Sequence, residues 1–236
     1  MLAVVRIQSL KQTTHFAMLL RSSRIIAPPA EASAFRETYT DTTKTVRAHP
    51  GNLAVRLWEH RTSPGAFFVN SWWSSMDDVH SAAELPAVKA FHDRSAEFLM
   101  ERRKSWHLEL IERAGATQQL NMKTPPVMRL SKAVIKSAEI ERMLEMYTIA
   151  TQTFTLKQPG CILVRLFRDL QHRNVFFIQS LWESADALEA NLSSAGFQKL
   201  RLQVLDVMEE RLHTWNLHLL DDDPRRPLCL PEDAVV

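Results

Sequence analysis

Apolar residues fall in short runs along this chain, and one pattern of runs occurs twice. Residues 53–61 and 66–74 are each apolar-rich and are separated by Thr62-Ser63-Pro64-Gly65, a break suited to a hairpin. Residues 161–170 and 174–183 repeat the pair. Before each hairpin lies another apolar run, at 17–26 and at 127–136, followed by a stretch with helical spacing. In the first copy Pro28-Pro29 precedes a helix over about 30–48, where a proline at the helix start loses no hydrogen bond, and Pro50-Gly51 stops it. In the second, Ser137 is placed to cap a helix running to about 157. A second helix follows each hairpin. One starts at Ser75 or Asp77, is interrupted at Pro86 and runs to about 103; the other spans about 185–210. Strands at 105–111 and 213–219 close the two copies.

The likeness extends to identity. Pro159-Gly160 lies 109 residues after Pro50-Gly51, and at that offset Val55, Arg56, Leu57, Phe67, Phe68, Ser71, Trp73 and Ser75 meet the same residue types. That makes ten identities over residues 50–75, where chance supplies about two. Asp77/Asp186, Trp106/Trp215, Leu108/Leu217 and Leu110/Leu219 continue the register. The chain is therefore a tandem duplication. Each copy has the order βαββαβ, the ferredoxin-like arrangement, so the fold class is α+β. The boundaries read as an arm at 1–15, repeats at 16–114 and 125–220, a linker at 115–124, and a flexible Pro-containing tail at 221–236.

Strand alternation assigns the faces. Leu53, Val55 and Leu57 share one face of their strand, as do Ile162, Val164 and Leu166, and these aliphatic faces are expected under the helices. The opposite face carries Trp58, Phe68, Trp72, Phe167 and Phe177, too apolar for water. The two sheets are thus expected to pack against each other. Arg56 and Arg165 share that inner face, with Asn70 and Gln179 as possible partners. Their roles divide between a structural guanidinium and an anion- or carbonyl-binding one.

Composition narrows the field. A net charge of +2 without a long basic run argues against nucleic acid or an anionic membrane as partner. Two cysteines form neither a disulfide framework nor a thiolate metal site, which points to the cytoplasm. Arg6, Lys11, Arg21 and Arg24 without an acid before Glu31 leave a mitochondrial presequence as the alternative. Five glycines and no metal-binding or phosphate-binding motif leave the chemistry to side chains.

The segment Pro159-Gly160…Phe177…Leu181-Trp182-Glu183-Ser184…Ala187-Leu188 resembles the antibiotic biosynthesis monooxygenase branch of the dimeric α/β barrel superfamily. Pro50-Gly51…Phe68…Trp72-Trp73-Ser74-Ser75 is a weaker version of it. The resemblance implies that the two repeats form an intramolecular dimeric barrel, with a small pocket between sheet and helices in each. It implies oxidation of an aromatic or polyketide-like small molecule by O₂ without a cofactor, with haem as the one cofactor kept open. Trp73 and Trp182 match the family tryptophan and are expected to line the pockets beside Val69, Ser71, Ile178 and Ser180. Val69 and Ile178 stand where quinone-forming members have Asn, and Ala82 and Asn191 stand where a His is frequent.

His80 and His92, on the second helix of the first repeat, are the candidate catalytic bases, and neither has a histidine counterpart in the second repeat. Three readings follow: a cofactor-independent monooxygenase, a cyclase using shape and one base, or a non-catalytic ligand-binding pseudo-dimer. The oligomeric state is either a monomeric pseudo-dimer or a homodimer of such chains.

Overall fold

The computed structural model describes residues 18–101, 103–115 and 124–223. The expected arm and the presequence question lie outside the described residues, as do most of the linker and the chain after 223. In the first repeat β1 (Leu19–Ile26) is followed by α1 (Ala32–Ala48), the hairpin β2 (Asn52–His60) and β3 (Ala66–Trp73), the helices α2 (Met76–Ala83) and α3 (Pro86–Phe98), and β4 (Lys104–Gly115). The second repeat has β5 (Val127–Val134), α4 (Ile140–Thr153), β6 (Cys161–Asp169), β7 (Val175–Trp182), α5 (Ala185–Ser193), α6 (Ala195–Val207) and β8 (His213–Asp221).

Local chemistry sets the boundaries. Ser75 caps α2 by accepting from the Asp78 amide, and Ser184 caps α5 in the same way through the Ala187 amide. The expected single helix over 185–210 is two helices, because Ser194 ends α5 in extended backbone and caps α6 through the Phe197 amide. Ser137 does not cap α4; it opens a single 3-10 turn, Ser137–Glu139, that leads into the helix. In the first hairpin Gly65 takes φ +86 with its carbonyl accepting from the Ala27 amide, a conformation that a side chain would strain.

The eight strands close into one barrel, ordered β1-β3-β2-β8-β5-β7-β6-β4. Each repeat contributes four neighbouring strands. The repeats are joined where β8 pairs with β2 and β4 pairs with β6, so the last strand of each repeat borders the hairpin of the other. No sheet edge is left open, which removes a site for edge-to-edge association.

Trp58, Phe68, Trp72, Phe167 and Phe177 fill the barrel together with Leu20, Leu108, Met128 and Leu217. Rings from the two repeats interlock: Trp72 and Phe167 lie 5.6 Å apart, Phe68 and Trp215 5.0 Å, and Trp106 and Phe177 5.1 Å. Full burial of a large apolar side chain contributes about 1.5–3 kcal/mol. A single repeat would expose this whole face, so the halves stabilise each other. The helices cover the outside, where Phe35 stacks on Phe67 at 4.5 Å and Met143 and Tyr147 pack on Leu166 and Phe176.

Leu53 and Ile162 depart from the simple alternation and join the barrel interior instead of the helix-side layer. The ladder slips between Asn52 and Ala54 and between Cys161 and Leu163, and a bulge in each strand turns the next side chain inward. Residues 221–223 are docked rather than frayed. Arg47 Nη2 donates to Asp221 at 2.7 Å, Arg56 Nε donates to Asp222 at 2.6 Å, and the fully buried Asp223 accepts from the Val55 amide at 3.2 Å.

Candidate active site

In the first repeat a cavity of about 70 Å³ opens between the outer face of the sheet and the helices. Alternation along β1 sends Arg21, Ser23 and Ile25 toward it and leaves Leu20 and Ser22 inside the barrel. Val69, Ser71 and Trp73 reach it from β3, Tyr39, Thr43 and Val46 from α1, and Val88, Phe91 and His92 from α3; Arg103, just before β4, completes the wall. The lining contains no Asp or Glu.

The polar groups are unevenly satisfied. Trp73 Nε1 donates to Ser71 Oγ at 2.9 Å, which fixes the indole, and the Ser23 and Ser105 hydroxyls pair at 2.8 Å. Arg21 forms no ion pair with a described residue, and its buried Nε has no hydrogen-bond partner. Burial first, and then the neighbouring Arg103, lower its pKa to about 10, so it stays charged at neutral pH. Burial lowers Arg103 as well. His92 is pushed down to about 4, by burial first and then by Arg103 and Arg21, and is neutral at physiological pH. A hydrophobic cavity with two guanidinium groups and a neutral imidazole favours an anion.

Of the residues singled out from the sequence, Val69, Ser71, Trp73 and His92 come together here. His80 is exposed on α2 outside the cavity wall. Arg56 and Arg165 lie inside the barrel, on the opposite side of the sheet from the cavity. Arg56 pairs with Asp222, and Arg165 donates to Gln179 at 3.0 Å and stacks over Trp72 at 5.0 Å. Both guanidinium groups are thus absorbed by the interior. Trp182, Ser180 and Ile178 occupy the matching positions of the second repeat, with Trp182 Nε1 donating to Ser180 at 2.9 Å.

Arg21, Ser23, Tyr39, Thr43 and Arg103 were not singled out from the sequence. A signal for the first four was present: Arg129, Ser131, Tyr147 and Thr151 follow them at an offset of 108 residues, not 109. One extra residue in the connection after α4 hides these matches from an ungapped comparison. Strand pairing confirms the equivalence, since Arg21 faces His107 and Arg129 faces Asn216 across matching ladders.

The second repeat places larger apolar side chains at the corresponding positions. Phe197 of α6 stands where Val88 stands in α3 and lies 5.5 Å from the Arg129 guanidinium carbon. Phe154, the counterpart of Val46, presses its ring on α6 at Gly196, where no side chain could fit. Arg129 donates to Asn216 Oδ1 at 3.2 Å, and Leu212 replaces Arg103 within the apolar layer. The architecture is shared, and the open cationic cavity belongs to the first repeat.

Among the described residues no group of three or more His, Cys, Asp or Glu is placed to hold a metal ion. The cavity is far too small for a porphyrin without rearrangement. No described helix is long and apolar enough to cross a membrane.

Fold and repeat organisation together define a pseudo-dimeric α/β barrel with helix-covered sheets. The family profile described as antibiotic biosynthesis monooxygenase matches residues 18–94 and again residues 132–201. The chain belongs to this family, which at its coarsest makes it a monooxygenase-like protein for small molecules. No curated protein matches the sequence. Among solved structures, a protein described as a candidate monooxygenase from Fusobacterium nucleatum subsp. nucleatum is 13% identical, over 90% of this chain and 96% of its own, with a TM-score of 0.73. An anthrone oxidase-like protein is 13% identical over 88% and 92% of the two chains, with a TM-score of 0.71. A candidate monooxygenase from Lactobacillus acidophilus is 12% identical over 87% and 100%, at 0.62. Each aligns across both repeats of this chain, and at these identities the likeness is one of fold.

Proposed function

We propose that the first repeat oxidises a small electron-rich phenol, or the terminal phenolic ring of a polyketide-like molecule, with O₂ and without a bound cofactor. The observation that carries this reading is Arg21, whose buried Nε has no hydrogen-bond partner among the described residues, beside Arg103 and the neutral His92 in a cavity without a carboxylate. His92 accepts the phenol proton. Its low pKa reflects the two nearby guanidinium groups in part, and the negative charge of the phenolate offsets that field as it forms. The positive field of Arg21 and Arg103 stabilises the phenolate as it forms, and Trp73 and Val69 flank the ring. The electron-rich ring carbon then reduces O₂. A carbon–oxygen bond forms, the ring C–H and the O–O bonds break, and the second oxygen leaves as water, so a phenol plus O₂ gives a quinone plus water. The second repeat serves as scaffold.

The cavity constrains the substrate. About 70 Å³ is less than the roughly 150 Å³ void that admits benzene, so a ring enters only as side chains at the mouth move, and a fused polycycle would stay mostly outside. Oxygen uptake with hydroquinones and phenols, measured on the intact chain and on Arg21→Gln, tests the proposal. Uptake that requires the phenol and falls in the variant is expected. Turnover that continues without O₂ would favour a cyclase, and neither uptake nor turnover would leave a binding protein.

A further inference from the structure

Charge balance in the cavity extends this reading to the class of substrate. Two guanidinium groups border one small cavity, and no carboxylate lines it. Arg21 has a buried donor without a partner, and neither Arg21 nor Arg103 forms an ion pair among the described residues. A buried cation normally keeps a partner, because removing charge from water is costly. The second repeat shows how a guanidinium at this strand position is otherwise satisfied. Arg129 bonds Asn216 and lies against Phe197, and Leu212 replaces the second cation. The first repeat has His107 opposite Arg21, and burial first and then Arg21 lower its pKa. An imidazole, neutral or protonated, supplies no negative charge to offset Arg21.

A single phenolate offsets one of the two cations. We propose that the ligand is an aromatic acid, a phenol carrying a carboxylate, and that Arg21 and Arg103 receive the carboxylate. This rests on the repeat-one site proposed above. It does not depend on the oxygen chemistry. A planar carboxylate suits the guanidinium fork, which can donate two parallel hydrogen bonds. The ring then lies along Val69, Val88 and Trp73. His92, on the same wall, is left to meet a phenolic hydroxyl.

Calorimetric titration of the full chain with 4-hydroxybenzoate and with its neutral isostere 4-hydroxybenzamide tests the assignment. The acid is expected to bind about ten- to a hundred-fold more tightly, the usual range for a desolvated charge-assisted contact. Arg21→Gln and Arg103→Gln should each erase most of that preference. Arg21→Lys should keep part of it, and Arg129→Gln should keep all of it, with folding of each variant checked by thermal melting. Equal binding of acid and amide, no binding of either, or a preference that survives in Arg21→Gln would overturn the proposal. So would displacement of the acid by inorganic phosphate at similar concentration, which marks an unselective anion site. Selective acid binding without oxygen uptake retains this inference and removes the oxygenase reading. Oxygen uptake on neutral hydroquinones without acid preference does the reverse.

Discussion

Arg21 and Arg129 occupy the same position on the first strand of their repeats, yet only Arg129 is held by its strand neighbour. Its Nη1 donates to Asn216 at 3.2 Å, whereas the residue facing Arg21 is His107. One cross-strand substitution thus separates a structural arginine from one available to a ligand. The neighbouring Val88/Phe197 and Arg103/Leu212 differences act in the same direction. The two repeats share the barrel but differ in the side chains that stand at these matching positions.

The two arginines therefore predict opposite phenotypes. Arg21→Gln should lower kcat/KM about a hundred-fold, the scale of losing one charge-assisted hydrogen bond to the substrate. Its melting temperature should hold or rise, because an uncompensated buried charge is removed. Arg129→Gln should leave turnover unchanged and lower the melting temperature. Steady-state kinetics and thermal melts of both variants check the pair.

Filling the first cavity with the rings found at the matching positions of the second repeat should abolish binding with the fold retained. Val46→Phe with Val88→Phe supplies the two rings that Phe154 and Phe197 provide in the other repeat. Overpacking costs about 1–3 kcal/mol, so a modest fall in melting temperature is expected alongside complete loss of ligand heat. A ligand titration that is unchanged in this double variant would place the site elsewhere.

His92 makes stability depend on pH with a definite sign. Its pKa falls from an ordinary 6.5 to about 4 in the folded protein. Between those values the unfolded chain binds the extra proton, so stability is fully present above about 6.5 and declines as pH falls toward 4. His60 and His107 are also lowered by burial and add to the same slope. Melting temperatures recorded from pH 7.5 to 4 should drop, and His92→Gln should flatten the profile. An equal slope in that variant would assign the effect to the other groups.

The acidic triplet at the end of β8, Asp221 to Asp223, locks the second repeat onto the first. Asp223 is fully buried, accepts from the Val55 amide and lies 3.5 Å from Arg47 Nε. Breaking a buried pair by removing one partner typically costs about 3–5 kcal/mol. Asp223→Asn should sit at the lower end of that range, because the amide can still accept from Val55. Asp222 is half-exposed, and Asp222→Asn should cost less even though it serves the buried Arg56. Urea unfolding of the two variants ranks them.

Much of the architecture was legible in the chain itself. The repeated Pro-Gly pair, the paired hairpins and the strand tryptophans establish duplication, and period-two alternation places Phe68, Trp72, Phe167 and Phe177 on a face that must be buried. Alternation is a property of adjacent residues, so a single sequence carries it. The bulges at Asn52/Ala54 and Cys161/Leu163 escaped because a one-residue slip shows only against the partner strand.

The site was legible only in part. Val69, Ser71, Trp73 and His92 were singled out and line the cavity, whereas Arg56 and Arg165 lie in the barrel interior and Arg21 and Arg103 line the cavity without having been singled out. A guanidinium among aromatic residues has the same local sequence whether an acid or amide from a distant strand satisfies it or none does. Gln179 faces Arg165 across the β6–β7 hairpin and was an expected partner, whereas Asp222 reaches Arg56 only because β8 pairs with β2. The sequence by itself determined two copies of one fold with an apolar inner face, because that information lies in local spacing. Tertiary structure decided which copy has a cavity and which arginine faces it, because both depend on volumes and partners brought together from remote strands.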